Sequence, residues 1–151
     1  MQVKRRDETM ETKKFVEAVF TIGDNSGYKL YEWFKLFFEE REKAIREYIY
    51  LKAYLAEEAY SEAGHKKGLE EMNTLYLALG ERFVQESPNY GCTYEGLCSA
   101  LVYYQKAEGK NLAQMFCTRS GIGESVYSRQ FVQAVPELIS RTKADLWKAF
   151  K

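Results

Sequence analysis

Four side chains in this sequence have the intrinsic reactivity for nucleophilic or metal chemistry: Cys92, Cys98, Cys117 and the single histidine, His65. A thiol attacks only as the thiolate, so it needs a local positive field. Cys92 precedes a helix predicted from Tyr94, and the open amides of a helix N-terminus supply such a field. A thiol-dependent enzyme centred on Cys92 is therefore one reading. Cys98 and Cys117 fall at apolar helix positions and read as small core residues. His65 lies in the connector Gly64-His65-Lys66-Lys67-Gly68 and reads as a solvent-facing loop residue with no cysteine partner signature. Cys92 and Cys98 have the wrong spacing for a zinc knuckle, and with one histidine a tetrahedral site would need all three thiols. No metal and no cofactor is expected.

Carboxylates are the other chemistry-bearing groups. Glu58 and Glu62 are one helical turn apart, with Glu57, Glu70 and Glu71 nearby. A carboxylate-bridged di-metal bundle requires Glu-x-x-His on paired helices, which one histidine cannot supply. These residues read as a solvated acidic face. Ser26-Gly27-Tyr28-Lys29 has Ser-x-x-Lys spacing without its companion motifs, and Ser26 reads as a helix N-cap. Gly121-Ile122-Gly123 is too short for a phosphate loop. Catalysis is thus hard to assemble, and the chain reads as a non-enzymatic, macromolecule-binding protein.

Two binding surfaces suggest themselves. Residues 111–134 place a short helix, a turn and a second helix in series, the outline of a helix-turn-helix. Ser125, Tyr127, Ser128, Arg129 and Gln130 would face the major groove, where arginine matches guanine and glutamine matches adenine. Lys106, Lys110 and Arg119 would hold phosphates. Against this, the turn Thr118 to Gly123 exceeds the usual three or four residues. The second surface is aromatic. Tyr31, Trp33, Phe38, Tyr50, Tyr54 and Tyr60 supply more aromatic area than one core stripe needs. Tyrosine, tryptophan and arginine dominate interface hot spots, so a protein partner or a homodimer is expected there. Burial of both faces by surrounding helices is the competing explanation.

The elements that must position these groups are nearly all helices. Residues 28–63 contain no proline and no internal glycine and stop at Gly64. They predict one long helix of roughly 54 Å, prone to break at the polar run Glu39 to Lys43. Leu30, Phe34, Phe37, Ile45, Tyr48, Leu51, Leu55 and Ala59 keep one of its faces apolar. Leu69, Met72, Leu75, Leu79 and Phe83 predict a second helix to Gln85, and Thr93 caps a third over 94–107. Asn111 to Gln114 matches a capping box for a short helix to Cys117. Further helices are predicted over 124–135 and from Pro136 to Phe150. Residues 12–22 carry helical spacing with a strand as rival, and residues 1–11 read as a flexible tail. The expectation is an all-α, single-domain helical bundle over 12–151: one long helix, then four or five shorter ones. It divides into a long-helix half, 12–86, and a short-helix half, 93–151.

Charge narrows the function classes. The chain has 22 basic and 22 acidic residues, net zero, which disfavours a protein held mainly by phosphate contacts. Residues 93–151 carry 8 bases and 5 acids and form the basic half. The polar N-terminus, odd cysteine count and absence of a long apolar run predict a cytoplasmic protein of a bacterium or infected cell. In size and lack of catalytic groups the chain is similar to the small accessory proteins of phages and mobile elements. That likeness implies a protein-binding regulator or inhibitor. The helix-turn-helix DNA-binding regulator and the Cys92 enzyme stand as alternatives.

Overall fold

The computed structural model describes residues 9–22, 41–65, 68–86, 89–107, 111–121 and 126–151. These form an all-α bundle of six α-helices, with no strand among the described residues. We label them α1 (Met10–Thr21), α2 (Arg41–Tyr60), α3 (Leu69–Gln85), α4 (Tyr94–Ala107), α5 (Asn111–Ser120) and α6 (Val126–Phe150). The predicted long helix is described from Arg41 onward; its first half, including Ser26, Tyr31, Trp33 and Phe38, lies outside the described residues.

Helix α2 is the axis. Ala44, Ile45, Tyr48, Leu51, Ala53, Leu55, Ala56 and Ala59 are buried, and so are Tyr50, Tyr54 and Tyr60 on its other faces. A helix with apolar residues on several faces belongs in the middle of a bundle, and α1, α4, α5 and α6 all pack on it. This corrects the expectation that Tyr50, Tyr54 and Tyr60 form an exposed aromatic interface. The surplus rings fill a core that closes from several directions. Tyr50 meets Phe83 edge-on at 6.2 Å and Tyr54 lies 5.9 Å from Tyr104. Edge-on packing of this kind suits the charge distribution of aromatic rings.

The helix ends follow local chemistry. Over Ser61–His65 the last turn of α2 widens, and Gly64 at φ +100° stops it, a conformation that glycine adopts without a Cβ penalty. Thr93 caps α4 as expected: its Oγ1 accepts the Gly96 amide at 2.9 Å. Residues 12–22 are helix, not strand. Helix α1 starts at Met10, capped by Thr9, whose Oγ1 accepts the Thr12 amide at 3.0 Å. Phe15, Val16 and Val19 then face the core together.

Pro136 does not begin a new helix, as its type suggested, but sits inside the 25-residue α6. Its ring is exposed, so the helix gives up one backbone hydrogen bond on the wet side. The stripe Val135, Leu138, Thr142, Leu146 and Phe150 stays buried across it. Burial of that stripe offsets the local cost.

Among the described residues two charged side chains lie inside. Lys52 is fully buried. Among its contacts, its Nζ donates to the Ile22 carbonyl at 3.0 Å and lies 4.9 Å above the Tyr48 ring. That carbonyl ends α1, where the negative end of the helix dipole favours a cation. Glu47 is the other, described below.

Helices α3 and α4 run antiparallel and approach closely at Gly80, where an added Cβ would stand 2.9 Å from Tyr94 Cβ. We predict that Gly80→Ala costs about 1–3 kcal/mol in urea unfolding, because the helices must separate. Alanine's better helix propensity would otherwise stabilise by up to about 1 kcal/mol, so a stabilised variant would refute this close contact.

Candidate functional site

The outer side of α3 and α4 is the surface where chemistry and exposure coincide. Along α3, Leu69, Leu77 and Val84 are spaced by eight and seven residues. At 100° per residue this sets them within about 80° of arc. They are 90%, 48% and 85% exposed. On α4, Val102 is 49% exposed, and Tyr94 and Cys98 are half-buried beside it. The Tyr94 hydroxyl donates to Asn73 Oδ1 at 3.0 Å, tying the two helices. Single exposed apolar residues are ordinary, but an aligned row on adjoining helices is a surface built for contact. The sequence reading placed Leu69 in the core stripe. It lies at the edge of that stripe, in the first turn of α3, and the bundle leaves it outside. The missed signal was the off-stripe pair Leu77 and Val84.

At one end of the row a groove of about 930 Å³ opens between the start of α3 and the end of α4. Leu69, Glu70 and Glu71 form one rim, Gln105 the other wall, and Glu57 and Tyr76 the floor. The Tyr76 hydroxyl donates to Glu57 Oε1. Burial, then this acceptor, raises the Tyr76 pKa well above 10.0 and keeps the phenol neutral. Among the described residues no lysine or arginine lines the groove. Glu70 and Glu71 sit in the first turn of α3, where the helix dipole favours carboxylates.

Other sequence candidates prove to be internal ties. Arg119 is not turned out toward a phosphate. Its Nε and Nη2 donate to Glu47 Oε1 and Oε2 at 2.8 and 3.1 Å. The Tyr104 hydroxyl also donates to Oε1, at 2.9 Å. The Arg119 guanidinium lies 5.0 Å above the Tyr103 ring. The side chains of Glu47 and Arg119 are 6% and 21% exposed, so this is a partly buried, bidentate pair joining α2, α4 and α5. Lys106 and Arg129 are exposed. Lys110 and Ser125, and the side chains of Tyr127, Ser128 and Gln130, lie outside the described residues.

Glu58 and Glu62 do not form a free acidic face. Lys143 Nζ sits 3.4 Å from Glu58 and 2.8 Å from Glu62, fixing α6 to α2. His65 is not a loop residue pointing to solvent. Its ring stacks on Tyr60 at 5.0 Å, and Nε2–H donates to the Phe150 carbonyl at 2.8 Å, capping α6. Among the described residues no group of three or more His, Cys, Asp or Glu is placed to hold a metal ion.

Cys92 does not have the environment of an attacking thiolate. It is buried, and burial pushes its pKa up to about 12, outweighing the opposing pull of Arg46. Burial raises Cys117 to about 11. Cys98 is only half-buried. With excess iodoacetamide at about pH 7, Cys98 should therefore react first and Cys92 and Cys117 on the timescale of opening. Mass mapping of the labelled peptides checks the order, and fast labelling of Cys92 would restore the thiol-enzyme reading.

No helix of the described residues is long and apolar enough to cross a membrane. The described residues define an all-α helical bundle with an exposed apolar row along α3 and α4. Comparison with protein-family models, with curated proteins and with solved structures returned no match for the chain.

Proposed function

We propose that the chain is a protein-binding regulator or inhibitor that engages its partner through the outer face of α3 and α4. The observation that supports this is the aligned exposure of Leu69, Leu77, Val84 and Val102 beside a groove. Leaving that row in water has no packing purpose for the isolated bundle, whereas covering it contributes about 25 cal/mol per Å². Tyr50 and Tyr54 are buried, so the proposal rests on this face and not on the long helix. A DNA-binding role would rest on Lys106, Arg129 and their neighbours, because Arg119 is engaged with Glu47.

The test is affinity capture from the native cells with the wild type and with Leu77→Glu/Val102→Glu. Both substitutions are at exposed positions and should change stability by no more than about 0.5 kcal/mol each. We expect a partner retained by the wild type and reduced at least about tenfold with the variant. A partner held equally by both would contradict the reading. Titration of mixed duplex DNA at about 50 mM salt is the parallel arm, and sequence-preferring binding there would favour the DNA reading instead.

A further inference from the structure

We propose that the partner segment laid on the α3–α4 face is a basic amphipathic helix, with a lysine or arginine side chain seated in the groove against Glu57. This deepens the protein-binding reading and rests on it. Three observations carry it. The first is shape. The row from Leu69 to Val84 is roughly 22 Å long at 1.5 Å per residue, about four turns, and two antiparallel helices form the furrow into which a third helix packs.

The second is charge. Beside the row stand Glu70 and Glu81 on α3 and Glu95 on α4, with Glu57 in the groove floor. The only base on α3, Arg82, is turned away to Glu17 of α1 at 2.7 Å and to Glu86. The only base on α4 is Lys106 in its last turn. Among the described residues the border of the row is therefore mainly acidic, although the chain as a whole is neutral. Such a border attracts a cationic partner and repels a like one.

The third is the floor itself. Tyr76 holds Glu57 through Oε1, and the Glu57 carboxylate lines the groove. A guanidinium or ammonium arriving from the open side would pair with that carboxylate, and Gln105 and Asn73 offer amide oxygens beside it. The same border argues against a second copy of this chain as the occupant. A two-fold interface here would bring the carboxylates of both copies together, at the cost that like charges carry across an interface.

The experiment is selection from a displayed library of random peptides of about 16 residues, using the immobilised chain, with Leu77→Glu/Val102→Glu as the counter-selector. Synthetic versions of the enriched peptides are then titrated against wild type and against Glu57→Gln/Glu70→Gln. We expect enriched sequences with net positive charge and apolar residues at helical spacing. Their affinity should fall about tenfold between about 50 and 300 mM salt, and about tenfold in the glutamine variant. Neutral or acidic winners that ignore salt and the glutamine changes, yet need Leu77 and Val102, would overturn the cationic occupant and leave the protein-binding reading standing. No enrichment over the counter-selector would overturn both. Concentration-dependent dimerisation abolished by Leu77→Glu/Val102→Glu would overturn the foreign helix in favour of a second copy.

Discussion

Arg119→Met should lower the unfolding free energy by about 3–5 kcal/mol, with the urea m-value unchanged. Both Glu47 oxygens accept from this guanidinium, inside the junction of α2, α4 and α5. Its removal leaves a carboxylate in the core with Tyr104 as its one described donor. The carboxylate must then take up a proton or admit water. If the loss measures an orphaned charge and not the intrinsic strength of the pair, replacing both partners should recover most of it. Glu47→Leu/Arg119→Met should be closer to wild type than Arg119→Met alone. The remaining deficit should be that of the Tyr104 hydroxyl, about 1–3 kcal/mol for a buried donor left unmade, and adding Tyr104→Phe should remove it. A single variant as stable as wild type would mean that Arg119 is available to an external anion.

The second large effect is alkaline unfolding. Tyr76 and Tyr104 have pKa values raised above 10.0, first by burial and then by the nearby Glu57 and Glu47 carboxylates respectively. Burial and the adjacent Glu11 raise Tyr60. Cys92 and Cys117 are pushed from 9.0 up to about 12 and about 11. In every case the folded state holds the proton more tightly than the unfolded chain. The stabilisation is fully present below the unfolded value and is lost as pH rises toward the folded one. Each group therefore lowers the folding constant about tenfold per pH unit, from about pH 9 for the thiols and about pH 10 for the phenols. Together they remove several powers of ten by about pH 11, comparable with the stability of an ordinary domain. Helical circular dichroism should collapse between about pH 10 and 11, together with a step in phenolate absorbance. Complete titration of the tyrosines with the helices intact would contradict the buried, neutral phenols described here.

Which parts of this molecule could be read in advance follows from the range of the forces involved. Gly64 and Thr93 act through their own backbone neighbourhood, so the stops and starts they set were readable from residue type. The stripe Ile45, Tyr48, Leu51, Leu55 and Ala59 was readable from spacing, and it is buried as expected. Tyr50, Tyr54 and Tyr60 were not. Whether an off-stripe ring is core or surface depends on how many helices surround its own, and periodicity within one segment carries no such information. Pro136 was misread because local sterics favour a helix start, whereas burial of Val135, Leu138 and Thr142 on either side carries α6 through it. Arg119 and Glu47 are separated by 72 residues, so their pairing was invisible to any local rule. The α3–α4 row was partly visible as Leu77 and Val84 lying off the core stripe. Its contribution from Val102 appears only once Gly80 brings α4 against α3.

Amide chemical-shift mapping tests the central claim most directly: the isotope-labelled chain is titrated with the captured partner or a selected basic peptide. The account predicts that perturbations concentrate on Leu69–Val84 and on Tyr94–Gln105, with Glu57 among them, while α1 and α6 remain still. Perturbations centred on residues 111–134, with the α3–α4 face unmoved, would contradict it.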